Sequence, residues 1–130
     1  MHDRYNKRSQ YEEYLAGHKK RARKEEKLLA ARKKEAWGKV KRLAKELPLS
    51  FPLRRIYLFG SLTDGHFTSY SDIDIALECL DEEDHLKAFT AADKIASPFR
   101  VDVILLEEAT LSLKKKIYSQ GVIGVALPPY

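Results

Sequence analysis

The sequence predicts an α/β fold, in which a small β-sheet is covered by helices and preceded by a long basic helix. Three observations indicate this. Charged helix-forming residues dominate the first third of the chain. Short apolar runs then alternate with segments of helical periodicity, which is typical of a sheet with helices packed on it. The length of 130 residues allows one such domain.

The charge divides the chain into two parts. Residues 1–47 hold 16 Lys and Arg against 7 Asp and Glu, a net charge of +9. Residues 48–130 hold 8 against 12, a net charge of −4. We therefore expect a basic helical extension over 1–47 and an acidic α/β domain over 48–130.

The extension is predicted to form one helix from about residue 20 to 46, which Pro48 and Pro52 end. Its apolar stripe is Leu29, Trp37, Val40, Leu43 and Leu47. Three interpretations stay open. In the first, the stripe packs on the domain or on a second copy of the chain, which would give a homo-oligomer. In the second, the Lys and Arg side chains bind nucleic acid, although the seven Asp and Glu residues among them weaken this interpretation. In the third, the basic side chains dock on an acidic partner protein.

The domain opens with two predicted strands. Arg55–Phe59 is a short apolar run that ends at Gly60, and residues 72–77 alternate acidic and apolar residues before becoming wholly apolar. Residues 61–71, rich in Gly, Ser and Thr, predict a turn that includes one helical turn.

The second half of the domain is predicted as helix, strand, helix and a short final strand. Asp81 is the expected N-cap of the first helix, which ends at Ser97-Pro98. Its buried stripe is predicted to be Leu86, Phe89, Ala92 and Ile95. The third strand covers residues 100–106, the last helix 110–120 with Gly121 as a left-handed cap, and the final strand 122–127.

Several classes of protein are excluded by composition. Cys79 is the only cysteine, so the chain can form no intramolecular disulfide and no cysteine-based zinc site. The first residues lack the apolar core of a secretory signal, and no stretch approaches the roughly 18 apolar residues of a membrane span. We expect a cytoplasmic protein that has no membrane partner.

Three carboxylates form the candidate chemical site. Asp72 and Asp74 are two residues apart on one strand, so both side chains are expected on the same face of the sheet. Asp102 interrupts another apolar strand. If the two strands are neighbours, the three carboxylates converge, and their mutual repulsion is relieved by a retained proton or by a hard cation such as Mg²⁺. Such a cluster can hold two metal ions for displacement at phosphorus.

Gly60 and Ser61 supply a candidate phosphate site. A glycine at a strand end allows close approach of the backbone to an anion, and the following N–H groups with the Ser61 hydroxyl can donate to it. Thr63 and Gly65 could extend this site.

At these residues the sequence resembles the nucleotidyltransferases of the DNA polymerase beta superfamily. The pattern is Gly60-Ser61, ten residues, then Asp72-Ile73-Asp74, with Asp102 on a later strand. The small size resembles the minimal MNT type. The resemblance implies a mixed-sheet fold, two Mg²⁺ ions held by Asp72, Asp74 and Asp102, and an NTP whose β- and γ-phosphates bind Gly60 and Ser61. It also implies transfer of NMP, usually AMP from ATP, to a hydroxyl.

The resemblance has one departure and implies one partner. Where many minimal members carry Ala-Arg-Gly, this chain has Thr63-Asp64-Gly65, so the missing cation would come from Arg54, Arg55, Lys114 or the partner. The chain leaves no residues for an acceptor domain, and minimal members are often antitoxins of HEPN ribonuclease toxins. We therefore expect a HEPN-type toxin as partner and acceptor. The alternative is a non-catalytic binding module on the same fold.

Overall fold

The computed structural model describes the backbone of residues 2–125 and the side chains of residues 8–121. Its helices are α1 (His2–Ser50), α2 (Ser61–Asp64), α3 (His85–Ala96) and α4 (Leu111–Gln120). Its strands are β1 (Arg55–Phe59), β2 (Ile73–Glu78), β3 (Val101–Leu105) and β4 (Val122–Val125). Short 3₁₀ turns at Glu82–Asp84 and Leu106–Glu108 precede α3 and α4.

Helix α1 is longer than the predicted 20–46. It starts at residue 2, and no proline interrupts the chain before Pro48. Glu, Lys, Arg, Ala and Leu, all good helix formers, dominate from residue 12 onward. It also includes Pro48 and ends at Ser50, so the prediction that Pro48 ends the helix is wrong. The proline leaves the carbonyl of Ala44 without its helical donor, and the helix ends within two residues. None of the helices in the described part of the chain is both long and apolar enough to span a membrane.

The chain divides into two compact units, one up to Arg32 and one from Lys33 onward. In the first unit the side chains described, those of residues 8–32, are mostly exposed, including Tyr11 and Tyr14. In the second unit α1 buries Ala36, Leu43 and Leu47. The predicted stripe is therefore buried at Leu43 and Leu47 within this unit, whereas the roles predicted for the basic extension stay predictions.

The sheet is mixed and has the strand order β3-β2-β1-β4. Strand β1 is antiparallel to both β2 and β4, and β2 is parallel to β3. The second and third strands are therefore neighbours, which is the condition for the predicted convergence of the acids. The final strand ends at Val125, and the predicted residues 126 and 127 lie outside the described residues.

One face of the sheet is wholly apolar, and α3 packs against its edge strand β3. The ring Nε2 of His85 lies 2.8 Å from the carbonyl oxygen of Val103. The buried residues of α3 are Ala88, Ala92 and Ala96. The predicted stripe is therefore wrong at Leu86, whose side chain is 75% exposed, and at Phe89, which is also exposed. Small side chains allow the helix to approach the sheet closely, and periodicity alone does not distinguish two overlapping stripes.

The opposite face of the sheet packs on α4. The buried cluster consists of Tyr57, Ala76, Leu106 and Ile117. The partly buried side chains of Phe59, Ile104 and Leu113 pack against it. This face also carries the acidic side chains of β2 and β3, because residues two apart on a strand share a face.

Gly121 caps α4, but not in the predicted left-handed conformation. Its φ is −72° and its ψ 150°, which is extended backbone. Glycine is needed there for a different reason: an added Cβ would overlap the carbonyl oxygen of Ile117 and lie 3.2 Å from that of Leu58. The chain turns directly from α4 into β4, and this leaves no room for a side chain.

Candidate functional site

Asp74 and Asp102 lie side by side. They are Cα partners in the parallel β2–β3 pair, and each is the second residue of its strand. Direct partners on neighbouring strands present their side chains to the same face. Asp74 is half-buried and Asp102 exposed. The condition for the predicted convergence, adjacent strands, is therefore met for these two residues.

The Asp74 carboxylate also lies against Gly60. Phe59, the last residue of β1, is the register partner of Asp74, so the chain leaves the sheet at this point. A Cβ on Gly60 would overlap Asp74 Oδ2 and lie 3.1 Å from its Cγ. Gly60 has φ 82° and ψ −152°, a conformation that is essentially restricted to glycine. Gly60 thus brings the backbone directly onto the carboxylate.

The turn after Gly60 is tied back to it. The carbonyl oxygen of Gly60 accepts the N–H groups of Thr63 and Asp64 at 3.1 Å each and the Thr63 hydroxyl at 2.9 Å. Ser61 opens the four-residue helix α2 and is half-buried. These bonds hold the turn in which Ser61 directly follows Gly60, the residue that lies against the Asp74 carboxylate. The assignment of Gly60 and Ser61 to phosphate binding stays a prediction.

Asp72 is the exposed residue that immediately precedes β2. Its neighbouring turn is held by Ser71 Oγ, which accepts the N–H of Thr68 at 2.8 Å. Among the residues that the structure describes, no three His, Cys, Asp or Glu side chains form a ready cluster for a metal ion. The assignment of all three carboxylates to metal binding therefore also stays a prediction.

Electrostatics link the three acids. The pKa of Asp74 is raised from 3.8 to about 6, first because burial disfavours its charged form and then because Asp102 and Asp72 repel that charge. Lys116 acts in the opposite direction. Asp74 is thus the carboxylate whose ionisation a bound cation would favour most.

Lys116 is a residue that sequence reasoning missed. Of the predicted substitutes for the arginine, Arg55 is the partner of Glu78 at the far end of β1, about 13 Å from Phe59 at 3.3 Å per residue. Arg54 interacts with Cys79 at that same end. The available signal was helical phase, since Lys114 and Lys116 flank the buried Ile117 on opposite sides at about 100° per residue. Sequence cannot tell which flank faces the acids.

The Asp74 carboxylate is expected to reduce stability above pH 6. The pKa of Asp74 is raised in the folded state, so below pH 3.8 the carboxyl is neutral in both the folded and the unfolded protein and does not change stability. As the pH rises from 3.8 toward 6, the carboxyl ionises more readily in the unfolded protein, and this lowers the stability of the folded state. Asp74→Asn should therefore stabilise the protein at pH 7–8 by on the order of 1 kcal/mol, discounted for its half exposure. Urea unfolding in EDTA at pH 7.5 and pH 4 measures this; a gain that is equal at both pH values would contradict it.

The site can be compared with known proteins. The family model described as "Polymerase beta, Nucleotidyltransferase" matches residues 39–124. The chain is 38% identical over 71 residues to the protein adenylyltransferase MntA of Shewanella oneidensis, and this covers 53% of the chain and 51% of that protein. The chain thus spans about half the length of that curated relative.

Two solved structures share the fold. One is the crystal structure of a toxin–antitoxin with AMP-PNP, at 30% identity and a TM-score of 0.56 over 69% of this chain and 73% of that one. The other is a mutant of the MntA-HpeT toxin–antitoxin, at 32% identity and a TM-score of 0.51 over 66% and 68%.

Proposed function

This chain belongs to the polymerase beta nucleotidyltransferase family, and on that premise we propose that it transfers NMP, in the simplest case AMP from ATP, to a hydroxyl on a partner protein. The observation that carries this proposal is the pairing of Asp74 with Asp102 on neighbouring parallel strands. Both lie on the face that α4 covers, and Gly60 touches the first of them. Paired carboxylates beside a tight glycine turn suit a metal-assisted displacement at phosphorus.

The donor set fits Mg²⁺. Asp72, Asp74 and Asp102 offer hard carboxylate oxygens, and the raised pKa of Asp74, caused by burial and its acidic neighbours, is the shift that a bound cation would reverse. When bound there, Mg²⁺ would neutralise phosphate charge and polarise the phosphorus. We propose that Asp72 and Asp74 hold the ions with the triphosphate, and that Asp102 serves the acceptor side.

The protein's own groups then have separate tasks. Gly60 and Ser61 orient the β- and γ-phosphates through backbone N–H groups and the hydroxyl. The acceptor oxygen forms a bond to the α-phosphorus, the bond from that phosphorus to the bridging oxygen breaks, and pyrophosphate leaves with that electron pair. The acceptor proton passes to Asp102, which is exposed and thus accessible to a partner's hydroxyl.

A HEPN-type toxin is the partner that we propose, in the cytoplasm. The similar structures include an MntA-HpeT toxin–antitoxin, and the curated relative is named a protein adenylyltransferase. The open acid pair is consistent with an acceptor brought by another protein, because Asp102 is exposed.

The proposal is tested by incubating the protein with ATP, Mg²⁺ and the HEPN-type toxin of the same organism. Intact-mass measurement should show the toxin heavier by one AMP, with pyrophosphate released in equal amount. EDTA should abolish the mass shift.

The rival function, toxin neutralisation by binding alone, gives a different result. In that case the toxin keeps its mass, and a variant lacking the Asp74 carboxylate neutralises it as well as wild type does. Either observation would show that nucleotidyl transfer is not the mechanism of neutralisation.

A further inference from the structure

The proposed nucleotide site has no lysine or arginine in its turn, residues 60–65. The position after Gly60-Ser61 that could hold a positive side chain holds Asp64 instead. The Asp64 carboxylate stabilises the turn. Its Oδ1 accepts the N–H of His66 at 2.9 Å and lies 3.1 Å from the His66 ring nitrogen Nδ1. The site is therefore acidic on two sides, at α2 and at β2, yet its proposed substrate is a polyanion.

Lys116 reaches this site from a third element. The next residue, Ile117, is completely buried in the cluster with Tyr57 and Ala76, so α4 is fixed over the face that carries Asp74. Lys116 itself is exposed at the edge of this contact. Its charge acts on Asp74 of β2 and also on Asp64 of α2. Lys116 thus lies within electrostatic range of both sides of the site.

The Lys116 ammonium forms no ion pair with Asp74 or Asp64 in the described residues. Within the described residues the ion pairs are Arg42 with Glu46 and His66 with Asp64, and Lys116 takes part in neither. A flexible ammonium that is near two carboxylates but bonded to none can turn toward a phosphate that enters between them.

We propose that Lys116 binds the β- and γ-phosphates of the NTP and holds pyrophosphate as it leaves. This inference rests on the proposed function and adds the residue that offsets the leaving charge. The electron pair of the broken bond stays on the pyrophosphate oxygen, next to the ammonium, and no proton transfer from Lys116 is required. Lys116 thereby takes the place of the cation that the Thr63-Asp64-Gly65 turn lacks.

Calorimetric titration with ATP, AMP and pyrophosphate in Mg²⁺ tests the inference without turnover. Lys116→Ala should weaken ATP and pyrophosphate about 10- to 100-fold, the loss of one charge-assisted contact, and leave AMP within about twofold. Alanine favours helix and the side chain is exposed, so the fold is retained, which circular dichroism confirms. Lys115→Ala is the matched control, because its side chain points away from Ile117 by about 160°.

A charge-relocation variant sharpens the test. Asp64→Arg combined with Lys116→Ala returns a cation to the turn and should restore at least part of the lost ATP affinity. Equal ATP affinity in wild type and Lys116→Ala, an equal loss in Lys115→Ala, or an AMP loss as large as the ATP loss would each overturn the assignment.

The two proposals fail separately. Wild type that binds ATP through Lys116 but never modifies the toxin keeps this inference and removes the proposed function. Toxin modification that continues unchanged in Lys116→Ala keeps the proposed function and overturns this inference. Wild type that binds neither ATP nor pyrophosphate overturns both.

Discussion

Asp74→Asn is expected to lower nucleotidyl transfer more than about 100-fold while the protein stays folded. Loss of a group that only supports a metal ligand typically costs about 10- to 100-fold, and Asp74 is proposed as a ligand itself. It is the most buried of the three carboxylates and interacts with both others. Asparagine keeps the shape of the side chain and removes the charge. Single-turnover transfer of AMP to the toxin, followed by mass spectrometry, measures the loss.

The control for this variant is Asp93→Asn. Asp93 is an exposed acid on α3, away from the face that carries Asp74. Asp93→Asn changes the net charge by the same amount as Asp74→Asn. An effect of net charge alone would therefore lower the transfer rates of both variants equally. Transfer that survives in Asp74→Asn to within a fewfold of wild type would show that this carboxylate is not a catalytic group.

Gly60→Ala is expected to destabilise the protein by more than about 3 kcal/mol. The φ of 82° and ψ of −152° alone cost an alanine about 1–3 kcal/mol. The added Cβ must also displace the Asp74 carboxylate, whose Oδ2 occupies its place. The unfolding temperature Tm should fall by more than about 10 °C, since a loss of 1 kcal/mol lowers Tm by about 4–8 °C in a domain of this size.

A double-variant cycle separates the two costs. In an Asp74→Ala background the clashing atoms are absent, and the remaining Cβ of residue 74 is 3.4 Å from the added carbon, which is ordinary contact. Gly60→Ala should then cost only the backbone part, about 1–3 kcal/mol. If its cost is the same in both backgrounds, the glycine is not needed for the approach of the carboxylate.

Much of the fold and the candidate site could be predicted from local sequence. Arg55–Phe59 is the strand that its apolar run predicts, because a run of that length bounded by Gly60 has little helical alternative. The positions of Asp74 and Asp102 within two apolar strands predicted acids that converge if those strands are neighbours, and the strands are neighbours in the structure. Their alternation with buried residues fixes the face they occupy once the strands pair.

Local periodicity was insufficient wherever two faces of one helix compete. Leu86 and Phe89 formed a more apolar stripe than the alanines of α3, yet the sheet selected Ala88, Ala92 and Ala96 because close packing favours small side chains. The same limit applies to α4, where Lys114 and Lys116 are equivalent flanks in sequence.

The sequence by itself determined the residue types at the site, the strands of Asp74 and Asp102 and the glycine that follows β1. Asp72, predicted on the second strand, lies just before β2. The tertiary structure decided which of these groups meet. Strand register made Asp74 the partner of Asp102, and the docking of α4 through Ile117 placed Lys116 where its charge acts on Asp74. Residue types and periods are properties of a segment, whereas register and helix docking depend on contacts between segments that are distant in the chain.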